Sequence, residues 1–268
     1  MQEQLVSEQE TLVNPLELVS EVSWLRRARP FAERFDAMLR GMTRQQVRDY
    51  VNYYGILSRT FAGAGLCLAG LVHMSPRTFG DLKSSYIASD ILAALVDEFI
   101  ARDGARLTHR ELCDVFVTGV NEWCGESDSS AADATAPALL AVQDAIAKGY
   151  TVHAGRDDSA LLRGIGFHLA TEMNGAIEFY ALDRAFREQW PDMVAYLRAR
   201  PGLQGDSYEW IAAHVVFEQE HFAAAQKAVE QAIDAYQGSL TREQARELVQ
   251  AGVDEFYELA ETYLLTVH

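Results

Sequence analysis

One segment constrains the fold of this chain more than any other: His214-Val-Val-Phe-Glu218-Gln-Glu-His221. Its two imidazoles and one carboxylate are spaced i, i+4 and i+7, which places all three on one face of an α-helix. Ile211, Val215 and Phe217 flank that face with apolar bulk, so we expect it to point into the protein. Burying unpaired polar groups costs several kcal/mol each, and a bound metal ion would remove that cost. The segment therefore predicts a helix that presents metal ligands to a core.

The composition is that of a globular protein with a surplus of acidic residues. Hydrophobic residues make up 49% of the 268 residues and charged residues 23%, which is enough apolar material for a large core. The formal net charge of -16 opposes binding to nucleic acid or to an anionic membrane, since both require a basic face. We therefore expect neither as a partner.

The N-terminal residues and the cysteines of this sequence are typical of a cytoplasmic protein. The first residues are acidic and polar, unlike a secretory signal, and the longest apolar run, Phe61 to Met74, is shorter than a membrane span. Cys67, Cys113 and Cys124 form no Cys-x-x-Cys motif and leave an odd count. This pattern indicates reduced thiols, and we expect a cytoplasmic location.

Apolar residues recur at helical spacing along most of the chain, and no segment shows the alternation of a β-strand. Capping boxes of the form Thr-x-x-Gln or Thr-x-x-Glu begin at Thr43, Thr108 and Thr241. We expect helices over about 16–39 with a break at Pro30, and over 45–73, 78–101, 109–123, 137–148, 158–189, 191–200, 206–236 with Asp206 as its cap, and 242 to near the C-terminus. The fold is therefore predicted to be all-α, with roughly seven to nine helices.

The chain is expected to form one domain. Residues 1–15 are predicted to be a flexible leader, and residues 16–268 a single helical bundle. The polar stretch 126–136 resembles a linker, but it is too short to mark a domain boundary.

Three further residues are candidates for completing a metal site. Glu98 lies in the last turn of its predicted helix and His109 at the start of the next, so the two can meet at the corner between the helices. Glu172 lies in the middle of a long apolar helix, where a carboxylate is rarely buried without a partner. The resulting six candidates, three carboxylates and three imidazoles, suit two first-row transition ions, particularly iron, that share bridging carboxylates. They are Glu98, His109, Glu172, His214, Glu218 and His221.

Several alternatives remain open from the sequence alone. Glu178 is an alternative to Glu172 on the same helix, whereas Glu220 falls off the face that carries Glu218. His168 is expected to be an ordinary hydrogen-bonded core histidine. The absence of cysteine from the candidate set argues against structural zinc and against an iron–sulfur cluster. The ferritin-like di-iron pattern requires a second Glu-x-x-His motif, which this chain lacks.

With these residues assembled, the chain resembles the heme-oxygenase-like di-iron oxidases. That family has a Glu about ten residues before a His, then a mid-chain Glu, then His-x3-(Asp/Glu)-x2-His. Here Glu98 precedes His109, Glu172 follows, and the motif from His214 to His221 completes the pattern. The Gly41-Met-Thr-Arg-Gln-Gln segment is similar to the entry of the second helix of the family fold. The resemblance spans roughly residues 20–235 and implies a seven-helix bundle, shared with pyrroloquinoline quinone synthase and the thiaminase-II proteins, here with short extra helices.

The resemblance also implies a function. It implies two Fe(II) ions as cofactor, O2 as co-substrate, and oxidation of a small amine, amino acid or fatty acid, often in natural-product biosynthesis. N-oxygenation, oxidative C–C cleavage and decarboxylation are its known outcomes. A homodimer is expected from the fold, and an external electron donor is a further expected partner. An amino-acid substrate would require a cation for its carboxylate, for which Arg110, Arg163 and Lys83 are candidates.

Two other functions are compatible with an all-α chain. The first is a cofactorless or organic-ligand enzyme on the same bundle, quinone-synthase-like or thiaminase-like, which predicts fewer than six convergent ligands and a polar pocket instead. The second is a helical binding or scaffold protein, in which buried carboxylates would be anomalous.

Overall fold

The computed structural model describes residues 23–99, 108–125, 137–155, 157–202 and 205–266. Within these ranges the secondary structure is helical and contains no β-strand, which confirms the predicted all-α class. The predicted leader over 1–15 and the linker-like stretch over 126–136 lie outside the described residues. A 3-10 turn at Ser23–Leu25 precedes helices α1 (Ala28–Gly41), α2 (Arg44–His73), α3 (Pro76–Phe79), α4 (Asp81–Ala93), α5 (Val96–Phe99), α6 (His109–Trp123), α7 (Pro137–Gly149), α8 (Asp158–Gln189), α9 (Pro191–Ala199), α10 (Glu209–Ala235) and α11 (Arg242–Thr266).

The three capping boxes determine where three helices begin. The Thr43 hydroxyl accepts from the backbone N–H of Gln46, whose side chain accepts in return from the backbone N–H of Thr43. Thr108 forms the same reciprocal pair with Glu111 at the start of α6, and the box at Thr241 repeats it at the start of α11. Each box satisfies two N–H groups that lack an intrahelical partner. The prediction that His109 is the first residue of its helix is thereby confirmed.

Two of the predicted helix boundaries were wrong. Pro30 does not break a helix, because it lies in the first turn of α1, where the missing N–H has no intrahelical acceptor to lose. The helix predicted over 78–101 is interrupted twice, which divides its described part into α3, α4 and α5. The first interruption is at Gly80, whose φ of 82° is accessible mainly to glycine, and the second is at Ala94 and Leu95.

The prediction that Asp206 caps the motif-bearing helix was also wrong. Helix α10 begins at Glu209, and its N-cap residue, Tyr208, forms no side-chain capping bond. Asp206 instead accepts a hydrogen bond from the backbone N–H of Tyr208, 2.8 Å away, and so stabilises the turn that precedes the helix.

Helix α8 is the centre of the bundle and packs against α1, α10 and α11. Twenty of its 32 residues are buried, as expected for a helix that is apolar around a wide arc. Gly166 on α8 faces the backbone of Val249 on α11, and Gly252 on α11 faces the backbone of Arg163 on α8. Because a Cβ at either glycine would collide with backbone atoms, these two positions allow the close approach that fixes the rotation of α8.

Helix α2 is long and apolar enough to cross a membrane by length and composition. Buried helices of globular proteins meet the same criterion, and 44% of its most apolar window is buried in this bundle. The expectation that the protein has no membrane partner therefore stays a prediction.

Candidate metal centre

The structure brings all six predicted ligands together as two groups of three. In each group, one potential ligand atom from every residue lies within 4.8 Å of the corresponding atoms of the other two. Five of the six residues are only 3–7% exposed, and Glu98 is partly buried. The first group is Glu98 on α5, His109 on α6 and His214 on α10; the second is Glu172 on α8 with Glu218 and His221 on α10.

The first group forms at the corner between α5 and α6. The Thr108 cap sets the beginning of α6, so that His109 occupies its first position. His109 Nδ1 then lies 3.3 Å from Glu98 Oε1, and its ring centroid lies 4.4 Å from that of His214. Three helices thus bring an oxygen ligand and two nitrogen ligands into one buried corner, a combination that suits first-row transition ions.

His214 is held in one orientation and one tautomer. Its Nδ1 lies 2.7 Å from the backbone carbonyl oxygen of Trp210, and because a carbonyl can only accept, Nδ1 carries the proton. The ring stacks on Phe179, with 4.1 Å between centroids. Burial, and next the neighbouring His109, keep the pKa of His214 well below its ordinary value. A neutral imidazole with an N–H to a carbonyl and a free Nε2 lone pair is the form that binds a metal ion.

The second group holds two carboxylates together in the core. His221 Nδ1 lies 3.7 Å from Glu218 Oε2 and 4.0 Å from Glu172 Oε2. Burial raises the pKa of Glu172 well above its usual range, and the adjacent Glu218 carboxylate raises it further. Two buried like charges oppose each other's ionisation unless a cation lies between them. The donor set therefore fits a divalent cation better than it fits a hydrogen-bonded core.

Gly175 leaves the space that Glu218 occupies. A Cβ at position 175 would lie 2.7 Å from Glu218 Oε2 and 3.1 Å from its carboxyl carbon. Any residue other than glycine at position 175 would therefore displace the Glu218 carboxylate. The sequence gives no signal for this role, since no local pattern distinguishes Gly175 from the other glycines of α8.

His168 is a buried, hydrogen-bonded core histidine, as predicted, and it also contacts a candidate ligand. Its Nδ1 lies 3.3 Å from the hydroxyl of Tyr150 and 3.3 Å from Glu172 Oε1. Burial lowers the pKa of His168 to about 3, so its ring is neutral. His168 and Glu172 are four positions apart on α8, a spacing that places both on one face of the helix.

Both groups line one cavity of about 90 Å3. Glu178, the alternative to Glu172, lines this cavity but belongs to neither ligand group. It is buried and accepts hydrogen bonds from Asn174 and Tyr54, and burial raises its pKa to about 7. Glu220 is exposed, in agreement with the prediction that it falls off the shared face.

The three residues considered as partners for a substrate carboxylate differ in their position relative to the cavity. Arg110 lines the cavity. Arg163 forms an ion pair with Glu255, 2.9 Å away, in which both side chains are nearly half exposed. Lys83 is exposed and lies over the ring of Tyr86. Only Arg110 of the three is in a position to contact a substrate in this cavity.

No family model, curated protein or solved structure matches this chain. The resemblance to heme-oxygenase-like di-iron oxidases therefore rests on the type and spacing of the six residues. The all-helical fold and the two convergent ligand groups are properties of the structure itself.

Proposed function

We propose that this chain is a non-heme di-iron oxidase or oxygenase built on the seven-helix heme-oxygenase-like bundle. Its reaction would be the oxidation of a small amine, amino acid or amino-acid-derived substrate by O2, through N-oxygenation or oxidative C–C cleavage, in natural-product biosynthesis. The observation that carries the proposal is the convergence of two buried Glu/His groups on one cavity. A cofactorless enzyme on the same bundle predicts fewer convergent ligands, so the complete set of six favours the metal-dependent reaction.

The ligand set also suits the charge of the proposed cofactor. Glu98, His109 and His214 would hold one ion, and Glu172, Glu218 and His221 the other. Three carboxylates offset most of the charge of two divalent cations, while the neutral imidazoles add none. Three protein ligands per ion also leave coordination positions open, as a catalytic centre requires.

When bound, two Fe(II) ions would supply two of the four electrons that reduce O2 to water, so the other two come from the substrate or from an external electron donor. The protein's own contribution is to fix the ligands and to exclude water. The Trp210 carbonyl orients His214, and His168 contacts Glu172. Phe179 and Phe256 line the cavity with apolar surface, which keeps the electrostatic interactions inside it strong.

The proposal is tested by anaerobic titration with Fe(II), followed by exposure to O2. We expect uptake of two ions per chain and O2 consumption that depends on them. His214→Ala should remove one ion and His221→Ala the other, because each truncation leaves two ligands in its group. His153→Ala is the matched control, since His153 is exposed in the turn after α7.

Two results would refute the proposal. One is the absence of iron uptake by the wild-type chain, and the other is unchanged uptake in the His214→Ala, His221→Ala double variant. The proposal also includes a homodimer in the cytoplasm, for which sedimentation velocity at several protein concentrations is the direct measurement of the oligomeric state.

A further inference from the structure

Two buried atoms on the wall of the metal cavity lack hydrogen-bond partners. Buried polar side-chain atoms are nearly always paired, so each exception points to a group that completes it. Among the residues that the structure describes, nine buried side-chain N or O atoms have no partner, and two of these belong to residues that line the metal cavity. They are Nη1 of Arg110, a donor, and Oδ1 of Asn174, an acceptor. A ligand that satisfies both must therefore carry an acceptor and a donor.

The Arg110 side of the cavity is suited to a carboxylate. Arg110 Nε donates to Asp114 Oδ2, and its Nη2 lies 2.9 Å from Asp114 Oδ1, which holds the guanidinium plane and leaves the Nη1 edge unpaired. Asp114 also pairs with Arg59, at 3.4 Å, so two guanidinium groups share one carboxylate. The unpaired planar N–H edge of a guanidinium group is a feature that recognises a carboxylate.

The Asn174 side is suited to an ammonium group. Asn174 and Tyr54 both form hydrogen bonds to the buried carboxylate of Glu178. Because a carboxylate only accepts, the amide nitrogen of Asn174 faces Glu178 and its amide oxygen is left without a donor. Arg110 is the only Lys or Arg among the described residues that line the cavity. Acceptor oxygens without a cation are complementary to a protonated amine.

A second, smaller cavity of about 30 Å3 adjoins this side. It shares Asn174, Glu178 and Tyr54 with the metal cavity and continues between apolar side chains such as Leu57 and Val142. The small volume of this second cavity and its largely apolar lining suit a short apolar side chain.

We propose that the metal cavity binds a small zwitterion, an α-amino acid with a short apolar side chain. Its carboxylate would lie against Arg110, its ammonium group against Asn174 and Glu178, and its side chain toward the second cavity. This inference rests on the proposed function, because it names the substrate class of the same site. It assigns recognition to residues that are not metal ligands.

The test uses the chain loaded anaerobically with Fe(II), and loading is quantified before any ligand is added. Isothermal titration calorimetry then compares 2-aminobutyrate with propylamine, which lacks the carboxylate, and with butyrate, which lacks the amine. We expect 2-aminobutyrate to bind about tenfold or more tightly than either, since one hydrogen bond to a charged group has that value. Equal affinity for 2-aminobutyrate and either of the singly charged compounds would overturn the proposal.

Two variants separate the two ends of the ligand. Arg110→Gln should weaken the binding of 2-aminobutyrate and of butyrate by about tenfold or more and leave the affinity for propylamine unchanged. Glu178→Gln should weaken the binding of 2-aminobutyrate and of propylamine and leave the affinity for butyrate unchanged. Arg163→Gln and Glu188→Gln, both at exposed positions on α8, are the matched controls and should leave all three affinities unchanged.

The outcomes also separate this inference from the proposed function. Equal weakening of all three ligands by Arg110→Gln would assign that residue a structural role and refute the inference. If Arg110→Gln does not fold, Arg110→Lys keeps the charge and tests the planar hydrogen-bonding edge instead, with a selective loss of carboxylate affinity expected. Wild-type chain that takes up no iron refutes the proposed function, and the same calorimetry on the metal-free chain then tests zwitterion binding by itself. Normal iron uptake without charge-dependent binding refutes the inference alone.

Discussion

Replacing Gly175 by alanine should weaken metal binding without destabilising the metal-free fold. The new Cβ would lie 2.7 Å from Glu218 Oε2, well inside van der Waals contact. The group that must move is the end of a flexible side chain, so the backbone of α8 can stay in place. We therefore expect the Glu218 carboxylate to swing away from Glu172 and His221, the other members of its group.

The expected effects on folding and on metal binding have different sizes. Alanine is favoured over glycine inside a helix by about 0.5–1 kcal/mol, which offsets the small cost of moving one carboxylate. The free energy of unfolding of the metal-free chain should therefore change by less than about 1 kcal/mol. Metal sites require ligand distances within about 0.2 Å, and misplaced supporting groups reduce affinity by about 10- to 100-fold. A loss of that size is expected for the ion held by the second group.

The assay compares anaerobic Fe(II) titration with urea denaturation of the metal-free protein. Gly63→Ala is the matched control, because Gly63 is an exposed helical glycine on α2 and a Cβ added there would meet no atom within 4 Å. It should stabilise the chain by about 0.5–1 kcal/mol and leave iron affinity unchanged. The reasoning is refuted if Gly175→Ala binds both ions with wild-type affinity. It is refuted equally if the variant loses several kcal/mol of stability before any metal is added.

Three further predictions follow from other parts of the site. Thr108→Ala and Thr43→Ala each remove a capping box, and each should lower the free energy of unfolding measured by urea denaturation by about 1 kcal/mol. Only Thr108→Ala should also weaken iron binding, since Thr108 positions His109. Burial raises the pKa of Cys113 to about 12, so at about pH 8 only ~10⁻⁴ of this thiol is in the reactive thiolate form. Mass spectrometry after iodoacetamide treatment should therefore find the exposed Cys67 alkylated and Cys113 unmodified. Burial raises the pKa of Glu178 from 4.5 to about 7, so the folded state binds the proton more tightly than the unfolded state does. The free energy of unfolding of the metal-free chain should therefore fall by up to about 3 kcal/mol as the pH rises through that interval. Glu178→Gln should remove this loss, and a variant with the wild-type pH dependence of urea denaturation would contradict the prediction.

The amino-acid sequence by itself determined the helical class and most helix boundaries. These depend on interactions between residues a few positions apart: the 3.6-residue period, and the reciprocal hydrogen bonds of the capping boxes at Thr43, Thr108 and Thr241. The shared face of His214 and Glu218 is local in the same sense, because helix geometry alone places i and i+4 side by side. Where prediction failed, at Gly80 and Pro30, one backbone conformation or one position in a turn outweighed the average pattern.

The tertiary structure decided which residues meet. Glu172 and Glu178 are six positions apart on α8 and both line the cavity, so only the packing of α8 against α10 selects Glu172 for the ligand group. That rotation depends on the close contact at Gly166 and Gly252 between α8 and α11, which no local pattern encodes. The pairing of Glu98 and His109 with His214, and the placement of Arg110 on the cavity wall, depend likewise on how helices distant in sequence pack. Periodicity specifies the face that a helix buries, whereas side-chain packing between helices specifies what that face touches.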